Sequence, residues 1–355
     1  MKLTIENLPV HELKPLCDFK CLEFGKNFSD YMLVMTYSLD KGWHEAKITP
    51  FADLSFSPAT LVFHYAQEIF EGLKAYYRED KKIGLFRPQE NFIRMNNSAR
   101  RMCMPELDID FVMDSLLELL RMDQRWVPPM AGASLYIRPT MIGIDPIIGL
   151  RPSDSYLFYI ILSPVAAYYK SSGEGQKILV EDKFVRAVPG GVGDAKTGAN
   201  YAASLLAGEE AKKRGFTQVV WLDGVHRKYV EEVGTSNIFF VYGDKILTPA
   251  LNGSILPGIT RKSVIELLQH WKMDVEETAL DINQIVKDIK DGKVTECFST
   301  GTAVVVSPIN SLHYKNKDHD IKGRQTGPVT QKIYDELTGI QYGRKKDPFG
   351  WTVII

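Results

Sequence analysis

Residues 190–201 read GGVGDAKTGANY, and the role of the lysine in this stretch decides which fold surrounds it. Two readings compete. In the first, the segment is a phosphate loop of the form G-x-x-x-x-G-K-[ST], whose backbone N–H groups wrap a nucleotide. The apolar run QVVWLD at 218–223 would then be the strand that ends in a magnesium-binding Asp223. Against this, the glycine required directly before the lysine is Ala195, and Gly198 delays the start of the following helix. In the second reading, the bend presents Lys196 so that its amine can reach an aldehyde. Such a lysine must be partly desolvated, or lie near another cation, to become nucleophilic. A lone lysine is ordinarily a solvated surface group, so this reading depends on partners elsewhere in the chain.

Outward from the lysine, Ser, Gly and Lys cluster at 169–178 (YKSSGEGQKI) between two β-rich blocks. This predicts a smaller N-terminal domain over 1–168, a linker over 169–183 and a larger domain over 184–355. In the first block, 72–87 (GLKAYYREDKKIGLFR) predicts two strands joined by a charged turn. Residues 91–104 follow as a helix with Phe92, Met95, Ala99 and Met102 in one apolar stripe. A second amphipathic helix is expected over 108–126, then strands over 134–144 and 156–163. In the second block a strand over 178–188 leads into the glycine-rich bend. A helix over 201–214 stops at Gly215. Strands follow at 217–222, 225–231, 236–242 and 245–248. Connections this short predict an α/β chain of the α+β type, with antiparallel or mixed sheets rather than a doubly wound one.

A cofactor that joins an aldehyde to a phosphorylated pyridine would need three further things. The ring nitrogen needs a carboxylate. Glu232 in EEVGTSN stands at a strand end before a Gly-Thr turn, although on its own it reads as exposed. The phosphate needs oriented N–H groups. In LPGITRKSVIELL (256–268) a Pro-Gly turn runs into a helix, placing the amides of Ile259 and Thr260 at its N-terminus. In STGTA (299–303) the amides of Thr302 and Ala303 form a second candidate anion nest. A substrate carboxylate needs a cation. Alternation puts Ser134, Tyr136, Arg138 and Thr140 on one strand face and Leu135, Ile137 and Met141 on the other. Arg138 there offers a bidentate fork. Arg94 lies off the apolar stripe of its helix, and by pattern alone it reads as solvated.

The bulk properties narrow the field. The chain has 355 residues, 45% hydrophobic and 25% charged, with a net charge of −1. Such a balance argues against nucleic acid or an anionic membrane as the main partner. Cys17, Cys21, Cys103 and Cys297 lack the second pair or His cluster of a zinc site and read as reduced thiols, with no metal. The N-terminal MKLTIENLPVHELKPL has no apolar signal core, and no run approaches the ~18 apolar residues of a membrane span. The expected location is cytoplasmic.

Taken together, the blocks FGKNFSDYM, HYAQEIFEGLKAY, LFRPQENFIRM, SLYIRPTMIG, RAVPGGVGDAKTGANYAASLL, EEVGTSNIFFV, LNGSILPGITR and STGTAVVVSPI resemble the branched-chain aminotransferases, of fold type IV among pyridoxal-phosphate (PLP) enzymes. They run in the family's order from residue 24 to 308. The resemblance implies two domains with mixed sheets and an active site at the domain interface. It implies PLP as cofactor and the transfer of amino groups between Leu, Ile or Val and 2-oxoglutarate. Lys196 would form the internal Schiff base and later move the substrate Cα proton. Glu232 would pair with the pyridine nitrogen, Tyr201 with the phenolic oxygen, and Leu256 would pack on the ring. Arg94, Ile259, Thr260 and Thr302 would hold the phosphate, which moves Arg94 from the surface into the site. The substrate α-carboxylate would lie near Thr302, Ala303 and Tyr65. Phe24, Phe70, Tyr136, Tyr168 and Thr235 would line the side-chain pocket, and Arg138 with Tyr136 would receive the distal carboxylate of glutamate. The family is dimeric, and Leu150 would reach the partner's pocket. Vertebrate members carry a redox Cys-x-x-Cys where this chain has Val304 and Ser307, so thiol switching is not expected. A D-amino-acid aminotransferase or an aminodeoxychorismate lyase would use the same lysine, but lacks the long GGVGDAKTGANY form and the SLYIRP strand.

Overall fold

The strand Ser134–Gly143 pairs antiparallel along its whole length with Ser155–Val165, and a nine-stranded sheet is built outward from this pair. The structure is a computed structural model that describes residues 1–166, 175–321 and 326–355. In this sheet the strands run in the order Thr4–Ile5, Gly42–Pro50, Tyr31–Ser38, Ser155–Val165, Ser134–Gly143, Leu73–Tyr77, Ile83–Phe86 and Thr352–Ile354, with Glu68–Phe70 also on Ser134–Gly143. Alternation sorts the faces as expected. Leu135, Ile137 and Met141 enter the core with Phe92, Met95 and Ala99 of the helix Pro88–Arg101 and with Leu116 and Leu120 of Ile109–Met122. Asp108 caps the latter helix by accepting the Phe111 N–H at 3.2 Å.

The second sheet has ten strands, in the order Asp274–Thr278, Lys245–Pro249, Asn237–Tyr242, Glu296–Gly301, Val305–Tyr314, Gln176–Glu181, Gln218–Leu222, Tyr229–Val233 and Leu280–Asp281, with Lys317–Asp320 also on Val305–Tyr314. Three of its pairs are parallel and the rest antiparallel, so the sheet is mixed. Its core gathers Ile178, Val220, Val230, Ile238, Phe240 and Leu312. Leu179, Val219 and Trp221 point the other way, onto Ala207 and Ala211 of the helix Leu205–Lys213.

The chain forms two compact units. One comprises Met1–Tyr168, Ala195–Gly198 and Gly339–Ile355, and the other Tyr169–Asp194 and Ala199–Thr338. Of the expected linker over 169–183, residues 169–174 lie outside the described residues, and Gln176–Glu181 is a strand of the second sheet rather than a connector. Among the described residues no helix is long and apolar enough to cross a membrane.

Three boundaries differ from the pattern, each for a local reason. The strand expected over 178–188 ends at Glu181 because its own carboxylate accepts the N–H groups of Lys183 and Phe184, at 2.7 and 2.8 Å. The strand expected from 225 starts only at Tyr229, because Asp223 accepts the N–H groups of Val225, His226, Lys228 and Tyr229 and folds that stretch into a turn. The helix expected over 201–214 is two helices, Gly198–Ala202 and Leu205–Lys213. Between them Ser204 turns back on Tyr201, its N–H and hydroxyl both donating to the Tyr201 carbonyl.

One buried carboxylate makes the first unit's stability depend on pH. Asp123 is fully buried and accepts the Tyr31 N–H at 3.1 Å, at the start of the strand Tyr31–Ser38. Burial, reinforced by the nearby Asp30 charge, pushes its carboxyl up to about 6. In the unfolded chain an aspartate titrates near ~3.9. The folded state therefore binds this proton more tightly, and the resulting stability is complete below pH ~4 and lost as pH rises to about 6. About two pH units correspond to about 3 kcal/mol. Asp123→Asn removes the titration, so its stability relative to wild type is expected to rise by that order between pH 4 and 7. Denaturant unfolding across that range measures it, and a constant difference would contradict the assignment.

Candidate active site

In the first unit the segment around Lys196 is fixed at three backbone points. The Lys196 N–H donates to Ser98 Oγ at 2.9 Å, and its carbonyl accepts the Phe70 N–H at 3.0 Å. The Gly198 N–H donates to the Glu68 carboxylate, and a Cβ at Gly198 would overlap that carboxylate. This explains a glycine just where a helix should start. Burial pushes the Glu68 carboxyl up, opposed by the Gly198 N–H and by Arg138. With its backbone held, Lys196 places Nζ 4.8 Å from the centroid of the Phe70 ring.

Ser98 belongs to the helix Pro88–Arg101, and Arg94 lies one turn before it on the same face. Arg94 is 7% exposed, so the pattern-based reading of a solvated side chain is corrected. The helix is buried on two sides, Phe92, Met95 and Ala99 on one and Asn91, Arg94 and Ser98 on the other. A bidentate pair holds the guanidinium, with Nε on Glu71 Oε1 at 2.7 Å and Nη2 on Oε2 at 2.8 Å. Asn91 Nδ2 and the Gly72 N–H also donate to Oε2, at 2.8 and 3.1 Å. Burial alone would raise the Glu71 carboxyl, but Arg94, Lys196 and Asn91 together hold it below the usual carboxylate range.

The same unit brings Phe24, Phe70, Tyr136 and Arg138 together. Arg138 lies 4.7 Å from the Phe70 ring centroid and 5.3 Å from that of Tyr136, and its Nη2 donates to the Tyr136 hydroxyl at 3.2 Å. Phe24 meets Tyr136 edge to face at 4.9 Å. Gly72 makes room for that tyrosine, since a Cβ there would overlap its hydroxyl. Tyr65 ends the short helix Leu61–Tyr65 and is partly exposed. Leu150, in the loop after Ser134–Gly143, is 84% exposed. Tyr168 lies outside the described residues.

The second unit gathers the remaining candidates. Glu232 sits on Tyr229–Val233, opposite Trp221, where the pairing shifts by a bulge. It is 3% exposed, not the solvated strand end that the pattern alone suggests. Its Oε2 lies 2.6 Å from Arg186 Nη2, and its Oε1 accepts from Asn237 Nδ2 at 3.2 Å. Asn237 Nδ2 also donates to the Leu256 carbonyl at 3.0 Å. A cleft of ≈ 270 Å³ is lined by Arg186, Tyr201, Ser204, Glu232, Thr235 and Leu256, among others. Gly258 abuts Asn237 Oδ1, and the helix Ile259–His270 starts directly after it, with the Ile259 and Thr260 amides in its first turn. Thr302 and Ala303 occupy the turn between Glu296–Gly301 and Val305–Tyr314. Val305 closes that turn at φ +58°, a left-handed conformation that costs a β-branched residue energy and marks a tightly specified backbone.

Sequence reasoning missed Glu71, Ser98, Arg186 and Asn237, although blocks already singled out contain three of them. A glutamate placed beside a cofactor inside a fold requires a counter-charge. That requirement would have pointed to Arg186, four residues before the GGVGDAK bend. Arg186 also donates to the carbonyls of Gly193 and Ser254, and a Cβ on Gly193 would overlap the latter. The glycine at 193 thus serves packing of the bend against backbone.

The pattern of the amino-transferase class IV family matches residues 68–312, a span that holds Lys196, Glu71, Arg94, Arg138 and Glu232. Branched-chain-amino-acid aminotransferase 2 of Bacillus subtilis is 49% identical over 339 residues, covering 96% of this chain and 93% of its own. The branched-chain amino acid aminotransferase of Escherichia coli superposes with a TM-score of 0.75 at 26% identity, covering 91% of this chain and 98% of that one. The branched-chain aminotransferase of the thermophilic archaeon Thermoproteus uzoniensis, solved with norvaline, shares the fold at TM-score 0.76 and 23% identity, over 91% of this chain and 99% of that one. The chain belongs to the class IV aminotransferases and, within that class, to the branched-chain-amino-acid aminotransferase family.

Its cofactor is pyridoxal 5′-phosphate. The residues present fit that group. A cation and an amide hold the buried Glu232 carboxylate in the wall of a cleft. Buried polar atoms at Arg186 Nε, Thr197 Oγ1 and Thr300 Oγ1 have no hydrogen-bond partner among the described residues.

Proposed function

We propose that the protein transfers the amino group of Leu, Ile or Val to 2-oxoglutarate in a ping-pong cycle, with Lys196 as the catalytic residue. The observation that carries this reading is the cluster of Phe24, Phe70, Tyr136 and Arg138 in the same unit as Lys196, where aromatic walls and a guanidinium share one patch. Apolar walls accept an aliphatic chain, and the arginine accepts the second carboxylate of glutamate.

When bound, pyridoxal 5′-phosphate supplies an aldehyde for amines and a ring that withdraws electrons from the substrate Cα. Lys196 would hold the cofactor through its Nζ amine, and the same amine would carry the proton at the substrate Cα. Glu232, paired with Arg186, would face the ring nitrogen. Tyr201 would serve the phenolic oxygen and Leu256 the ring face. Arg94, the amides of Ile259 and Thr260, and Thr302 would be the phosphate donors. Thr302, Ala303 and the Tyr65 hydroxyl would be the groups for the substrate α-carboxylate, and Thr235 and Tyr168 further candidates for its side chain.

The same reading includes a homodimer in the cytoplasm, with Leu150 reaching the partner's pocket and a role in branched-chain amino-acid biosynthesis. The exposed apolar side chains Phe63, Ile148 and Leu150 support the dimer.

Following the cofactor spectrum through half-reactions with L-Leu, L-Ile, L-Val, L-Glu and their D-enantiomers tests the proposal. Conversion with the L-series alone is expected, and conversion with D-amino acids would contradict it. Arg138→Ala separates the two donors. Loss of a charge-assisted fork costs about 2–3 kcal/mol, so kcat/KM for glutamate is expected to fall about 30–150-fold while that for leucine changes less than about fivefold. Equal losses would make the arginine structural.

A further inference from the structure

We infer that Glu71 is a positioning residue that serves both cations of the cofactor's anchoring side, aiming Arg94 and raising the proton affinity of the Lys196 nitrogen. The inference rests on the reading above, in which Arg94 holds the phosphate and Lys196 holds the aldehyde, and it gives Glu71 a role beyond packing.

The geometry is specific. Glu71 is completely buried, and its two oxygens take Nε and Nη2 of Arg94 in a bidentate fork at 2.7 and 2.8 Å. Two contacts in one plane fix the direction of a guanidinium, which a single contact would leave free to swing. The carboxylate is itself fixed, since Asn91 Nδ2 and the Gly72 N–H both donate to Oε2. Its neighbour in the chain, Phe70, donates its N–H to the Lys196 carbonyl and carries the ring on which Nζ rests. One short turn therefore connects the carboxylate to both cations, and the Lys196 charge helps hold the Glu71 carboxyl below the usual carboxylate range.

Among the described residues of this unit, charged groups of both signs stand near Lys196. Arg94 on the helix Pro88–Arg101 and Arg138 on Ser134–Gly143 are cations, and Arg138 stacks on the same Phe70 ring as Lys196. Glu68 on Glu68–Phe70 is an anion spent on the Gly198 N–H, and burial raises its carboxyl. Tyr136 is engaged by Arg138. Glu71 is thus a buried carboxylate that Arg94 holds ionised, and its charge favours a protonated nitrogen at Lys196.

The test compares Glu71→Gln, which removes the charge and keeps the shape, with Glu71→Asp, which keeps the charge and shortens the reach. Two readouts on holoenzyme are needed, the pH titration of the absorption band of the lysine-bound cofactor and the dissociation constant for pyridoxal 5′-phosphate. For Glu71→Gln the titration midpoint is expected to fall by about one pH unit or more, a tenfold change in proton affinity. For Glu71→Asp the midpoint is expected to stay near wild type while the cofactor binds about tenfold more weakly. A Gln midpoint within roughly 0.3 unit of wild type, about twofold in proton affinity, would overturn the electrostatic role. If the Gln variant does not fold, unchanged cofactor affinity in the Asp variant overturns the inference, and tenfold weaker binding supports it. Wild-type enzyme without such a band would instead refute the assignment of Lys196 itself, so the two failures are distinguishable.

Discussion

Lys196→Ala is expected to lower turnover with leucine by at least about a thousandfold, because in the proposed cycle one side chain supplies both the covalent anchor and the proton carrier. The variant should still bind pyridoxal 5′-phosphate, since the cleft at Tyr201, Glu232 and Leu256, the helix start at Ile259–Thr260 and the Glu71–Arg94 fork do not involve Nζ. It should fold as well, because the contacts that hold this segment are made by the backbone of residue 196 and by Gly198. Absorbance spectra of the purified variant and single-turnover kinetics test both halves. Loss of the band with retained, noncovalent cofactor is the expected result, and turnover within about tenfold of wild type would refute the role.

The second large effect belongs to Glu232→Ala. The carboxylate is buried against Arg186 at 2.6 Å, so truncation does two things. In the proposed site it removes the partner of the ring nitrogen, weakening the electron sink and slowing proton removal by about 10²–10³-fold. It also leaves Arg186 buried without its counter-charge, a defect of about 3–5 kcal/mol. Chemical denaturation and the rate of the leucine half-reaction report the two effects separately. The variant should still join its cofactor to Lys196, which lies in the other unit's cluster. A half-reaction within a few-fold of wild type would count against the assignment.

Local pattern made much of this molecule legible. Period-two alternation sorted Leu135, Ile137 and Met141 into the core and left Tyr136 and Arg138 together on the other face. The stripe Phe92–Met95–Ala99 gave the helix and its core side. Boundaries failed where a side chain captured backbone N–H groups, as at Glu181 and Asp223, because those carboxylates look like any other polar residue in a pattern. Arg94 and Glu232 read as solvated for a related reason. Hydropathy treats a charge as surface, whereas a charge with a buried partner is stable inside, and the partners Glu71 and Arg186 lie 23 and 46 residues away. The glycines of 190–193 suggested a phosphate loop, but Gly193 serves close approach to the Ser254 carbonyl. Substrate class came from the family resemblance, since no spacing in the chain encodes a branched aliphatic side chain.

The most direct measurement on the central claim is borohydride reduction of the holoenzyme followed by peptide mass spectrometry. Reduction should fix the cofactor on the peptide that carries GGVGDAKTGANY, with the added pyridoxyl mass located on Lys196 alone. Its appearance on another lysine, or on none, would contradict the account.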